Sequence, residues 1–381
     1  MGLQDLHNLR DQVCIVGVGD TKQGAVSDKT GDELGIDAAR AALADCGLKK
    51  DDIDGLFVQP SYGRQGDYLK VGLMLGLNPK VGGAVEASGA TGCYMIQHAA
   101  LLLNAGMANY ILLVYATNQK TNRNRFGGAL LEEHAPYGAF NPSGPFAFAF
   151  RRHMHLYGTT EEQLATIAIN QRKHAILNPK AVQQTPITLD DYMSARYIVW
   201  PLRLFDYCYI TDGGHAFILT SPERAKDLNK PPVYIRGMGR QEAFRAYETP
   251  DLVMQSFQQE AVAKMVFAMA GCTTRDIQAL YVQDAYSPAV IAALENYGFC
   301  PRGESGHWIQ DGRIALGGEL PLNVNGGQLS ETYMVGWQNT YDAVRQLRAE
   351  CGERQIEAVE RIMCTYTGGL REHAGALILR R

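Results

Sequence analysis

The chain has 381 residues and no Cys-x-x-Cys pair, although it contains eight cysteines. They stand singly at positions 14, 46, 93, 208, 272, 300, 351 and 364, so neither a zinc site nor a disulfide framework is expected. It also lacks an excess of positive charge, since 36 basic against 40 acidic side chains leave a net charge of −4. A DNA-wrapping surface or a polybasic membrane anchor needs a local surplus of Lys and Arg, and nucleic acid is therefore not an expected partner. No long apolar run is present: the most apolar stretch, 98–116, is broken by Asn104, Gly106 and Asn109. A membrane span needs roughly 20 uninterrupted apolar residues. The opening MGLQDLHNLRDQ has neither a cationic patch nor an apolar core, and Leu6 lacks the hydroxyl of a myristoylation site, so a cytoplasmic location is expected. Gly-x-Ser-x-Gly and P-loop patterns are missing. Gly17-Val18-Gly19 begins like a dinucleotide fingerprint, but Lys22 stands where its third glycine belongs. His153 and His155 lack the further spacing of metal ligands; they read as surface residues and no metal is expected.

What is present is an ordinary globular composition, 46% hydrophobic and 20% charged, long enough for two domains. Glycine is abundant, and 19 tyrosines outnumber 12 phenylalanines. Residues 13–18 read as a buried strand. Residues 32–46 read as a helix with Leu34, Ala38, Ala41, Ala42 and Ala44 on its inner face, stopped by Gly47. A short strand, Leu56-Phe57-Val58, follows Asp52-Ile53-Asp54. The same order returns downstream: a helical run over 262–270 precedes Asp276-Ile277, and Leu280-Tyr281-Val282 is the strand. Setting residues 52–62 against 276–286, an offset of 224, brings Asp, Ile, Leu, Val, Gln and Tyr into register. This reads as a domain-scale duplication; chance similarity of two short helix–strand units is the other reading.

A second pairing matches the helical run 91–104 and strand 110–115 with the helical run 328–348 and strand 362–366. Alternation of this kind builds mostly parallel sheets covered by helices. We place the first half at 1–228, with an insertion over 117–221, and the second at 229–381. In the insertion, Thr159-Thr160-Glu161-Glu162 reads as a capping box for a helix to His174, which Asn178-Pro179 ends. Two Gly-rich turns, 87–92 and 323–327, each precede a helix whose free N–H groups face outward for a ligand. Lys120, Arg123 and Arg125 suit a phosphate-bearing ligand or a solvated loop equally. Phe140, Phe146, Phe148 and Phe150 suit an apolar pocket or simple packing.

In order along the chain come Gly89-Ala90-Thr91-Gly92, Tyr157-Gly158-Thr159-Thr160-Glu161-Glu162-Gln163, Asn178-Pro179-Lys180-Ala181, Pro201-Leu202-Arg203, Asp212-Gly213-Gly214, Asp284-Ala285-Tyr286, Asn325-Gly326-Gly327 and Gly368-Gly369. This series resembles the thiolase superfamily, closest to its sterol-carrier-type, thiolase-like branch. The resemblance implies an α/β thiolase fold, two duplicated halves in a five-layer α-β-α-β-α arrangement. Thiolases carry a nucleophilic cysteine in a Cys-x-Ser-Gly turn, and that register here holds Gly89. Cys93 lies four residues on, either a small core residue or a displaced nucleophile for residual acyl transfer. The family's Gly-His-Pro triplet reads Thr332-Tyr333-Met334, its Asn or His before the acidic triplet reads Gln283, and its late cysteine falls near Tyr366.

Losing thiol and imidazole together removes both the acylated group and its base, so Claisen chemistry is not expected. The sequence resembles the steroid side-chain aldolases, thiolase-like proteins that use tyrosines instead. By that resemblance the substrate is a 17-hydroxy steroid (or bile-acid) acyl-CoA, cleaved to a ketosteroid and propionyl-CoA or acetyl-CoA without an acyl-enzyme. Retro-aldol cleavage needs a base, an enolate sink and an acid. Tyr333 is the first choice for acid/base, Tyr286 and Gln283 compete for the second catalytic position, and Tyr366 is a third, weaker candidate. Gly89, Thr91, Gly326, Gly327, Gly368 and Gly369 are the expected substrate- and coenzyme A-binding positions. The resemblance further implies a homodimer, a small zinc-binding OB-fold partner, and no cofactor beyond the coenzyme A of the substrate. A noncatalytic lipid-carrier subunit is the reading outside enzymes.

Overall fold

A computed structural model describes residues 8–60, 67–123, 136, 142–243, 254, 256–368 and 372–381. The first half contributes β1 (Cys14–Asp20), α1 (Gly31–Cys46), β2 (Gly55–Val58), α2 (Asp67–Leu75), β3 (Val81–Ala84), α3 (Thr91–Asn104) and β4 (Tyr110–Asn118). An insertion follows with α4 (Ser143–Tyr157), α5 (Glu161–Ile176), α6 (Leu189–Ser194) and the small hairpin β5 (Tyr197–Val199) and β6 (Leu202–Arg203). The chain then returns to the sheet through β7 (Asp212–Thr220) and α7 (Pro222–Ala225). The second half is β8 (Val233–Glu242), α8 (Phe257–Ala270), β9 (Ala279–Val282), α9 (Ser287–Asn296), α10 (Ser305–Trp308), α11 (Gly327–Ser330), α12 (Trp337–Leu347), β10 (Arg361–Gly368) and β11 (His373–Arg380).

The duplication is written into the strand order, β3-β2-β4-β7-β1-β8-β11-β10-β9. From the centre outward the first half runs β1, β7, β4, β2, β3 and the second runs β8, β11, β10, β9. Leu322 bridges Leu280 of β9 where the second half has no counterpart strand to β3. Bounds agree with the repeat: β2 and β9 lie 224 residues apart at both ends, as do the single turns over Lys50–Asp52 and Thr274–Asp276. The halves meet edge to edge through the pairs Cys14 with Tyr234 and Ile15 with Val233, extended by backbone hydrogen bonds from Asp11 N to Ile235 O and from Ile235 N to Val13 O.

Side-chain alternation along the strands sorts the interior into three cores. Ile111, Leu113 and Tyr115 of β4 join Ile362, Cys364 and Tyr366 of β10 around α3 and α12, forming a helical layer between the sheets. Leu112 and Val114 face the other way, toward α1 and α2. Met363 and Ile378 face α8, α9 and the helices of the insertion. Helices therefore cover both outer faces and fill the space between the sheets, as the five-layer expectation requires.

Local chemistry explains the helix ends and corrects four expectations. α1 opens on a Thr30/Glu33 capping box and stops at Gly47, with φ +80°; its inner face carries Leu34, Ala38, Ala39, Ala42, Leu43 and Cys46, whereas Ala44 is exposed. That face follows i, i+4 steps, and Ala44 falls on the opposite side. The cap of α5 is one residue later than expected, Thr160 with Gln163. His153 is buried: one ring nitrogen meets Glu295 Oε1 at 2.9 Å and the other Thr159 Oγ1 at 2.9 Å. The expected helical run 328–348 is interrupted between α11 and α12, with Val335 and Gly336 at positive φ. Tyr333 pairs there in parallel with Ile210, and this pairing wins over helix propensity.

Candidate active site

The first Gly-rich turn places Gly89 in a single 3-10 turn, Ser88–Ala90, immediately before α3. Thr91 stabilises the turn: its hydroxyl accepts from Ala87 N at 2.8 Å and donates to Ser88 O at 2.7 Å. A Cβ on Gly89 would come inside 3.0 Å of the Gln283 side-chain amide and of the Thr367 carbonyl. Gln283 is buried at the end of β9; its Oε1 accepts from Thr367 N at 2.8 Å and its own N–H donates to Thr365 O at 3.0 Å. The space a thiolase nucleophile would fill is therefore occupied by a glutamine amide fastened to β10. Gly368 lies against the same turn, its Cβ position meeting Ala87 O and Gly89 N; Gly369 lies outside the described residues. Cys93 is fully buried in the middle layer, where Gln97 Nε2 approaches its sulfur at 3.2 Å and burial keeps the thiol protonated.

Tyr333 and Tyr286 are gathered by one strap, residues 207–211. Tyr207 bridges Tyr286, Cys208 N donates to Ala285 O at 3.0 Å, Tyr209 N donates to Gln328 O at 3.1 Å, and Ile210 bridges Tyr333. Thr211 Oγ1 receives Tyr333 N–H at 3.2 Å and meets Thr332 Oγ1 at 2.7 Å. Two strap residues, Cys208 and Tyr209, separate the two bridges, so the tyrosine backbones are tied to neighbouring points of one short segment. The Tyr286 ring stacks on Phe146 of α4 at 4.4 Å and meets the Tyr207 ring edge-on at 5.2 Å. Tyr366 does not join them. It is buried against Gly336, its hydroxyl bonds Thr340, and burial lifts the phenol well above its ordinary range.

Two buried carboxyl groups hold the loop that carries Tyr333. Asp284 accepts from Gln328 N at 2.9 Å and Leu329 N at 3.3 Å, closing the first turn of α11; burial pushes its carboxyl up to about 7. Gly327, with φ +62°, leaves no space for a Cβ beside Asp284 and Gln171, and Gly326, with φ +107°, lies against Ala175. Glu331 accepts from Asn178 Nδ2 at 2.9 Å and Asn325 Nδ2 at 2.5 Å, and burial followed by the nearby Asp342 pushes it up to about 8. Sequence reasoning counted Asp284 among the motif letters and passed over Glu331. In the sequence Glu331 stands four residues after the Gly326-Gly327 turn, whereas Asp284 lies 42 residues before it and reaches it only through the fold.

The remaining candidates divide. Lys120 donates to Tyr209 Oη at 2.7 Å and covers its ring, so it braces the strap. Arg125 and Phe140 lie outside the described residues. Phe146 and Phe150 are buried and Phe148 is exposed. An open groove of about 700 Å³ lies at the far end of α12, but its cations are engaged: Lys180 by Asp20, Arg345 by Glu350 and Arg354 by Asp342. Among the described residues no group of three His, Cys, Asp or Glu is placed to hold a metal, and no helix is long and apolar enough to cross a membrane.

The thiolase C-terminal domain-like family model matches residues 241–381. A steroid side-chain-cleaving aldolase from Thermomonospora curvata is 34% identical, over 93% of this chain and 95% of that protein. The 17-hydroxy-3-oxo-4-pregnene-20-carboxyl-CoA lyase of Mycobacterium tuberculosis is 33% identical, over 95% and 98%. The solved Ltp2-ChsH2(DUF35) aldolase superposes with a TM-score of 0.88 at 34% identity, covering 98% of both chains. Human mitochondrial 3-ketoacyl-CoA thiolase shares the fold, with a TM-score of 0.73 at 16% identity and 98% and 99% coverage. The chain belongs to the thiolase superfamily, in its branch of steroid side-chain-cleaving aldolases.

Proposed function

We propose that the chain is a carbon–carbon lyase that cleaves the side chain of a hydroxylated steroid acyl-CoA by a retro-aldol reaction. The observation that carries the reading is the occupied nucleophile space: Gln283 and Thr367 crowd Gly89, while Tyr286 and Tyr333 share one strap. Acyl transfer through Cys93 has no support, because that thiol is sealed between the sheets.

In the reaction a base takes the proton of the 17-hydroxyl, and the bond from C17 to the side chain breaks. Its electron pair passes into the thioester as an enolate, and an acid protonates the enolate carbon. The products are a 17-ketone and propionyl-CoA, or acetyl-CoA from a shorter side chain. We assign proton transfer to Tyr333 and Tyr286. Gln283 has no proton to exchange at neutral pH, and its amide holds the floor of the site instead. Each tyrosine hydroxyl both donates and accepts a hydrogen bond, which suits it to relay a proton. We assign the thioester to the backbone of the turn over residues 87–91 and of the glycines at 326, 327 and 368.

The partner is a small OB-fold, zinc-binding protein, by analogy with the solved complex of the Ltp2 aldolase with its DUF35 protein. A second copy of the chain adds along β3. That strand is an open edge of the sheet, and α2 beside it exposes Leu69 and Leu73 at 61% and 81%. Purified chain and partner, given a 17-hydroxy steroid acyl-CoA, should release propionyl-CoA. Tyr333→Phe should abolish release while binding persists. Release at the wild-type rate from Tyr333→Phe would refute the assignment of that residue, and a stable acyl adduct on the protein would refute the aldolase reading.

A further inference from the structure

Three segments cross at one carboxylate. Asp284 lies two residues before Tyr286, beside Cys208 of the strap, and its oxygens take the N–H groups of Gln328 and Leu329, which begin the loop leading to Tyr333. The strap is tied to both sides of this crossing, through Cys208 N to Ala285 O at 3.0 Å and Tyr209 N to Gln328 O at 3.1 Å. Gly327 presses so closely on Asp284 that no side chain fits between them. No other described side-chain carboxylate hydrogen-bonds to the amides of this loop's first turn.

We infer that Asp284 is a positioning residue for the aldol cleavage: as a carboxylate it clasps the Tyr333 loop to the Tyr286 strand end and thereby sets the distance between the two phenols. The inference rests on the proposed roles of those tyrosines. The ionised form offers two strong acceptor oxygens; protonation turns one into a weaker acceptor carrying an O–H that needs its own partner, which loosens that side of the clasp. Burial already brings the group close to that point at neutral pH. Its neighbours do not compete for the proton: the Cys208 thiol is held neutral by burial, Gln171 of α5 is uncharged, and the groups from α11 are amides.

The test is steady-state kinetics of the complex with its partner on the steroid acyl-CoA. Asp284→Asn keeps the shape but replaces one acceptor by a donor facing an N–H. We expect kcat to fall about 10²-fold, the effect of a displacement on the order of 1 Å, with KM little changed. Wild-type kcat should fall as pH drops below about 7, while Asp284→Asn should lack that limb. If the variant does not fold, the wild-type profile decides, since a kcat that stays level from about pH 8 to about pH 5.5 overturns the clasp. Wild-type kcat in folded Asp284→Asn, or equal losses in binding and turnover, would also overturn it. An inactive Tyr333→Phe beside a fully active Asp284→Asn refutes only this inference, whereas an active Tyr333→Phe refutes the functional reading beneath it.

Discussion

Restoring a side chain at Gly89 tests most directly why this protein is not a thiolase. Nothing in the backbone forbids alanine there, because Gly89 is not in the left-handed region; the obstacle is the approach of Gln283 and Thr367. Overpacking a well-filled interior costs about 1–3 kcal/mol. Thr367 cannot yield freely, since it is paired with Ala374 across β10 and β11. Moving Gln283 instead breaks its bond to Thr367 N, worth about 1 kcal/mol. The expected cost of Gly89→Ala is therefore about 2–4 kcal/mol. With an unfolding entropy near 2.1 cal/mol/K per residue, the chain has a total of about 0.8 kcal/mol/K, so Tm should drop by about 2–5 °C. Circular-dichroism melting measures this. Gly89→Ala combined with Gln283→Ala should be less destabilised than the sum of the two, by on the order of 1 kcal/mol. Gly89→Cys should show the same loss and form no acyl adduct by intact-mass analysis. An unchanged Tm in Gly89→Ala, or an acylated Gly89→Cys, would refute the steric argument.

Other consequences can be measured separately. Tyr286→Phe should lower turnover by about 10²-fold or more while its ring keeps its place between Phe146 and Tyr207; circular dichroism checks the fold and product release the rate. His215 is buried among Asp20, Lys180 and Tyr341, neither ring nitrogen meets a hydrogen-bonding partner among the described residues, and burial lowers it to about 4. Between that value and its ordinary 6.5 only the unfolded chain binds the proton, so stability is lost as pH falls through this window, by at most roughly 3 kcal/mol. Asp206 and Asp284, raised to about 6 and 7, act in the opposite direction. The comparison is therefore His215→Phe against wild type, in urea at two pH values, and the variant should lose less stability on acidification. Leu73→Asp on the exposed face of α2 should shift the molecule toward monomer in light scattering without lowering Tm; an unchanged mass would move the dimer surface elsewhere.

Much of the fold was legible because it rests on periodicity and repetition. The offset from Asp52 to Asp276 located β2 and β9, and α3 runs over the expected 91–104. The break before α12 was not legible, since residues 328–348 carry a helical pattern and only pairing with Ile210, distant in sequence, pulls Tyr333 out of it. His153 looked like a surface residue because its acceptor, Glu295, lies 142 positions away. At the site, Gly89 marked a missing nucleophile, but that Gln283 fills the gap depends on how β9 and β10 align. Asp284 was visible as a letter in a motif, and its work appears only once α11 is seen to begin against it.

The close packing of Gly92 against the indole of Trp337 has an electrostatic consequence. It brings the first turn of α3 against the side chain of the residue that opens α12, and the N-terminal end of each helix carries the equivalent of roughly half a positive elementary charge. In the proposed cleavage, an enolate held beside these helix starts would meet peptide N–H groups whose partial positive charge stabilises it. On that proposal each half would contribute one helix to the field that meets the developing charge.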